Sequence, residues 1–314
     1  MRTYSRVPFI LQLVVTAAFA VAAQGQAGEQ QPNVLEQQAI PTSLSALQVV
    51  GKPLTAEEAA AQVQGLIKAL NLRAITPKLQ RGKERETYSF RAPGHTFKVF
   101  AQSGVLKYRT EELYRLSPHQ EGENAPPRET VLSWAERDLK RLAAANFLTL
   151  DELDRQNIHI SHQSSRTATR DGEKVQLGKL SVLDSRIDFT RRIGELRVAG
   201  NGVGFIYGND GRLHGLEIVW RRVRSLREKM PLAVSKEQAL SAFRETTEPS
   251  RKLGSTVDLL QAELVYGDPS PRRQIGSLQP AYFFLYRVRT PIEGRTNEFV
   301  VGKKRLLVLR AVKR

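Results

Sequence analysis

The 314-residue chain contains no cysteine. That excludes a disulfide framework and a thiolate metal site and leaves stability to packing. Histidines are few: His95, His119, His159, His162 and His214. None stands in a His-Glu-x-x-His pattern, so the sequence carries no zinc signature. His159 and His162 fall on opposite faces of a strand and would need a turn between them to share a metal. There is no Gly-x-Ser-x-Gly, and Ser161, between two histidines, reads as a surface strand serine, because adjacency in sequence is not the geometry of a Ser-His pair. Gly200, Gly202 and Gly204 imitate a phosphate loop. A dinucleotide fingerprint opens a helix, however, whereas residues 203–207 alternate as a strand. A turn and close backbone packing explain these glycines and Gly194 and Gly208 better. No catalytic residue, cofactor or metal is expected. The exception would be an unrecognised hydrolase that gathers Asp, Glu or His from distant positions.

Long apolar runs are also missing. The longest, about fifteen residues at 7–21, is shorter than the roughly 20 needed to cross a bilayer. It follows Arg2 and Arg6 and ends in small residues at 20–23, the layout of a secretory signal peptide over 1–23, with an uncleaved anchor as the alternative. Residues 24–51 are rich in Gln, Pro, Ser and Ala and read as a flexible tether. Export to a periplasm or exterior, in a bacterium, is the expected location, with no integral membrane span in the mature chain.

What the chain has in excess is positive charge: 48 Lys and Arg against 32 Asp and Glu, a net +16 and a pI near 10.2. Such a balance attracts anionic surfaces. The cations are dispersed along the predicted strands, as at Arg191, Arg192 and Arg197 and at Arg221, Arg222 and Arg224, which is the pattern of a solvated face. These six arginines are the expected interaction rim, and nucleic acid is not the expected partner.

Two helix starts share one logic. Leu54, Thr55, Glu58 and Ala59 make a capping box with a hydrophobic staple, and Val234, Ser235, Gln238 and Ala239 repeat it. Behind the first run Ala59, Val63, Leu66, Ile67 and Leu70, ending near Asn71; behind the second, Ala239, Leu240 and Phe243. A further stripe, Leu132, Ala135, Leu139, Leu142 and Ala143, predicts a helix over 130–146. The carboxylates Asp151, Glu152 and Asp154 read as another helix start capped by Thr149, with paired catalytic acids as the alternative. Short half-exposed strands are expected over 86–108. Further strands are expected over 153–189 with a turn at Asp171-Gly172, and over 257–266, 281–290, 297–301 and 305–312. Within 281–290, Tyr282, Phe284, Tyr286 and Val288 fall on one face as core and Phe283, Leu285, Arg287 and Arg289 on the other, with a base-stacking platform as the alternative.

The centre of the pattern is 189–220. Val203, Phe205 and Tyr207 alternate, Gly208-Asn209-Asp210-Gly211 supplies turn residues, and Leu216, Ile218 and Trp220 resume the alternation, which predicts a hairpin. Phe189-Thr-Arg-Arg, Val198, Gly200, Val203-Gly-Phe-Ile-Tyr, Asn209-Asp-Gly-Arg-Leu213, Val234-Ser-Lys-Glu-Gln-Ala239 and Ala281-Tyr282 together resemble the PepSY and FTP modules. These are propeptide domains of thermolysin-like metallopeptidases, also found as free-standing exported proteins. The resemblance implies a helix over an antiparallel sheet and a role as chaperone, peptidase inhibitor or binding module. Two departures stand: no peptidase domain follows, so inhibition in cis is not expected, and the strong basic balance is foreign to the family pattern.

The expected fold is α+β, two or three helix-plus-sheet units in which each antiparallel sheet is packed by a helix on one face. The units are expected at 52–116 and, after a Pro/Gly-rich linker at 117–128, at 129–314, with the PepSY-like segment at 184–314. The expected function is noncatalytic: binding or inhibiting an exported protein partner such as a peptidase, with polyanion or envelope-surface binding through arginine-rich strands as the alternative.

Overall fold

The computed structural model describes residues 43–72, 75–80, 86–113, 124–165, 168–171, 174–231, 234–268, 271–292 and 299–308. The expected signal segment, most of the tether and much of 117–128 lie outside them. In chain order the elements are β1 (Ser43–Val49), α1 (Ala56–Ala69), β2 (Lys78–Gln80), β3 (Thr87–Ala92), β4 (His95–Phe100), β5 (Leu106–Thr110) and α2 (Arg128–Ala144). Then follow β6 (Leu153–Ser165), β7 (Ala168–Asp171), β8 (Lys174–Leu177), β9 (Ser181–Ile193), β10 (Leu196–Gly208), β11 (Leu213–Val219) and β12 (Val223–Pro231). The chain closes with α3 (Lys236–Lys252), β13 (Thr256–Gly267), β14 (Ser277–Pro291) and β15 (Phe299–Val308).

Both capping boxes form. Thr55 accepts from the Glu58 amide and Glu58 returns to the Thr55 amide, and Ser235 and Gln238 do the same; each closes two orphan donors of a first turn. α1 ends where Asn71 takes a positive φ of 53°. α2 begins at Arg128 behind Pro127, which has no side-chain cap bond, and its buried stripe is Val131, Ala135, Asp138, Leu139 and Leu142. Leu132 and Ala143 pack only partly. The expected start at Thr149 does not grow into an α-helix: Leu150–Glu152 is one 3-10 turn without a side-chain cap. Strand β6 follows directly, and Asp154 spends its carboxylate locally, on the Gln156 amide and the Asn157 side chain, where the β6–β9 register is interrupted.

The α+β expectation of separate helix-plus-sheet units is overturned. Among the described residues thirteen strands form a single sheet along β12-β1-β14-β13-β10-β11-β5-β4-β3-β2, with β15 on β14, β9 on β10 and β6 on β9; β7 and β8 stand apart as a pair. The sheet is mixed, because β10 and β13 run parallel while its other pairings are antiparallel. Capping boxes and apolar stripes report local structure. Which strand edge finds which partner is a nonlocal outcome that the helix starts do not encode. Two further differences have the same origin. Residues 43–49, read as tether, lie as β1 between β12 and β14, and the two late strands expected at 297–301 and 305–312 are one continuous strand, β15.

Two helix-covered cores lie on the sheet, and a small third cluster of Ala199, Val265, Ala281 and Phe283 lies apart from them. α1 and α2 cover the first, with Phe90, Phe97, Tyr108, Ile187, Phe205, Tyr207 and Leu216 among its buried residues, so residues on both sides of 117–128 share it. α3 covers the second, where Phe243 stacks on Phe284 with centroids 5.0 Å apart and meets Tyr286 edge-on. The predicted alternation of Tyr282, Phe284, Tyr286 and Val288 is thereby realised as core.

Candidate functional site: an open basic sheet face

Strand alternation divides the first half of the sheet into two chemically different faces. Register places Leu79, Phe90, Phe97, Tyr108, Leu216, Phe205, Ile187 and Ile160 in one continuous cross-strand row toward α1 and α2. The adjacent rows point the other way. One runs Gln80, Ser89, Lys98, Lys107, Glu217, Gly204, Asp188, His159; the other runs Lys78, Arg91, Thr96, Arg109, Gly215, Ile206, Arg186, Ser161. No described helix packs on them. Lys78, Arg91, Lys98, Lys107, Arg109 and Arg186 outnumber Glu217 and Asp188 there, so the face is basic with two interspersed carboxylates.

The carboxylates are held in place. Lys107 Nζ lies 2.6 Å from Glu217 Oε1. Arg186 donates from Nε and Nη2 to both oxygens of Asp188 at 2.7 and 2.6 Å. This fork lies against Gly204, where a Cβ would collide with the Asp188 carboxylate and the Arg186 guanidinium. Gly202, with φ 154°, lies at an irregularity in the β9–β10 register, and a Cβ there would fall on the Phe189 carbonyl oxygen. The glycines of 200–204 therefore let β10 approach β9 closely and make room for an ion pair. A concavity of about 930 Å³ opens beside them, lined among others by Arg186, Asp188, Arg197, Gln261, Arg272 and Phe283.

The six arginines named from the sequence separate. Arg191 is buried. Its Nε and Nη2 each lie 2.7 Å from Glu152 Oε2, Nη1 donates to the Arg221 carbonyl, and the guanidinium rests 4.7 Å from the Trp220 ring centroid. Desolvation lowers its pKa against the pull of Glu152. Arg221 is also buried: Nε donates to Asp268 at 2.7 Å and Nη2 to the Arg273 carbonyl at 2.6 Å, and Asp268 accepts from Asn201 as well. Neither belongs to an exposed rim, because each answers a buried carboxylate or carbonyl. Arg197 is ion-paired to Glu263 and lies over Phe283 at the edge of the concavity. Arg192, half-buried, is its register partner on the open face. Arg222 and Arg224 are exposed at the far end of the sheet, where Arg224 donates to Gln48.

Lys98, Lys107, Arg109, Arg186 and Glu217 were not singled out in the sequence. Their signal is present as period-two alternation with Phe97, Val99, Leu106, Tyr108 and Leu216. What makes it a surface is the pairing of β5 with β11, more than a hundred residues apart. His159 and His162 lie opposite Asp188 and Ser185 on β9. His162 Nδ1 is 2.9 Å from Ser185 Oγ, and burial lowers its pKa.

No family model and no curated protein matches the chain. Among solved structures it is similar to an uncharacterised protein from Eubacterium rectale, at 9% identity and a TM-score of 0.51. The likeness covers 88% of this chain and 86% of that one, and at that identity it shows the fold alone. Among the described residues no helix is long and apolar enough to cross a membrane.

Proposed function

We propose that the chain is an exported, noncatalytic interaction protein that docks an acidic face of an exported protein partner on the open sheet. The observation that carries this reading is the pair of polar cross-strand rows running through eight strands from β2 to β6, opposite a helix-covered core. A rigid surface with positive charge and two fixed carboxylates sets orientation as well as attraction, because like charges placed opposite each other penalise the wrong partner. That patterning favours a folded protein over a uniform polyanion, whose binding needs only cations. The resemblance to PepSY and FTP modules supplies a partner class, an exported peptidase.

Charge reversal tests it. The double variant Lys98→Glu, Arg109→Glu alters exposed side chains, so it should fold as wild type while its complex with an envelope partner, captured by a photocrosslinker at Ser89, weakens by about tenfold or more. Retention of the complex by the variant would overturn the reading. So would crosslinks that form only from other surfaces. Binding to acidic glycans with a steep salt dependence and no saturable protein complex would transfer the assignment to the polyanion alternative.

A further inference from the structure

A second cavity, of about 800 Å³, lies at the rim of the first core, on the helix side of the sheet. Register brings His95, Thr110 and His214 side by side on β4, β5 and β11: His95 faces Thr110 directly, and the Gly215–Arg109 pair sets His214 beside Thr110. These three continue the core face one step beyond Phe97, Tyr108 and Leu216, where apolar packing would be the ordinary continuation. His214 is 7% exposed. Its Nδ1 lies 2.7 Å from Asp184 Oδ1 and donates to that carboxylate, which leaves Nε2 on the Glu112 side of the ring, within the cavity wall. Nε2 has no hydrogen-bond partner, although Glu112 Oε2 stands 3.3 Å away, and buried Thr110 Oγ1 has none either. Buried polar atoms without partners are costly, about 1–3 kcal/mol each. Two of them lining one cavity mark a place built for a ligand's polar groups.

The charges around that row are polarised. On α2, Asp138 is 2% exposed and accepts both arms of Arg137 at 3.0 Å, Nη1 of Arg141 at 3.1 Å and the Tyr207 hydroxyl at 3.1 Å. One buried carboxylate thus fixes two half-exposed guanidiniums at the cavity wall, leaving a net positive pole with unused N–H groups. Glu111 and Glu112, just past β5, and Asp210 supply the opposite pole; its one cation among the described residues, Arg212, pairs with Asp210 and lies 3.7 Å from Glu112, which leaves the three carboxylates in excess. Leu70, Leu72, Ile75 and Leu213 provide apolar lining.

We infer that this cavity binds a small zwitterion, with its carboxylate on Arg137 and Arg141, its ammonium on Glu111 and Glu112, and its polar middle on Thr110 and His214. That is the chemistry of a free amino acid or a short peptide. The site lies on the face of the sheet opposite the docking surface, so the two assignments stand or fall separately.

Calorimetric titration of the full chain with single amino acids, with di- and tripeptides, and with the same peptides N-acetylated or C-amidated tests the inference and separates the two sources. An unblocked ligand should bind, and blocking either end should weaken it about tenfold or more, the scale of one lost charge-assisted hydrogen bond. Arg141→Gln and Glu112→Gln, each altering a side chain more than 40% exposed, should produce similar losses with unchanged circular dichroism. Thr110→Val should also weaken binding. Lys98→Glu, Arg109→Glu should leave it intact. The inference is overturned if no unblocked ligand binds up to about 10 mM, if blocked and unblocked forms bind alike, or if both Arg141→Gln and Glu112→Gln bind as wild type.

Discussion

Arg221 and Asp268 show how misleading a run of arginines is at the residue scale. Their side chains are 2% and 0% exposed, and Asp268 sits just after β13 while Arg221 sits just after β11, so the pair ties the two halves of the sheet together. Desolvating two charges is expensive, and a buried pair holds only while both partners remain. Arg221→Ala should therefore lower stability by about 3–5 kcal/mol. Arg224→Ala, at an exposed position, should stay within about 0.5 kcal/mol. Urea denaturation of the two variants checks the contrast, and equal losses would show that the buried pair adds nothing beyond a surface charge.

At the scale of elements, α1 and α3 were legible because their signals are local. A hydroxyl, a carboxylate or amide three positions on, and an apolar stripe are contained within one or two turns. Thr55→Ala and Ser235→Ala should each cost about 1 kcal/mol, read as a shift of the denaturation midpoint. Thr55→Ser should retain most of it, and an undiminished midpoint in both alanine variants would mean that packing alone sets these helix starts. The hairpin of β10 and β11 was legible for the same reason: its turn follows directly from 208–211, where Gly211 takes φ 76° and leaves no room for a Cβ against Trp134. The start at Thr149 was misread because the same local pattern of Thr and acids also serves a loop. Asp154 satisfies amides there, and Glu152 is drawn away to Arg191. Nothing within 149–154 reveals that distant partner.

For the whole molecule, the decisive feature is that the two helix-covered cores share one sheet through the parallel contact of β10 and β13. Both tryptophans, Trp134 and Trp220, pack against the first core, so their fluorescence reports that half, while far-ultraviolet circular dichroism reports both. Because the sheet is continuous and buried ion pairs cross the junction, the two signals should trace coincident urea transitions. Separated transitions would mean that the halves unfold independently. The open basic face belongs to this scale too. Arg91, Lys98 and Arg109 come from one part of the chain, Arg186 and Asp188 from another, and only the β5–β11 pairing makes them one surface.

The sequence by itself determined which segments alternate, where α1 and α3 begin, where the central hairpin turns, and that no thiol chemistry is available, since each of these depends on neighbours a few residues apart. Tertiary structure alone decided that the strands join in one mixed sheet, that Arg191 and Arg221 are buried rather than exposed, and that His95, Thr110 and His214 line one cavity. Those outcomes depend on strand pairings and buried charge partners far apart in sequence, and the free energy of such contacts is set by burial and register rather than by local composition.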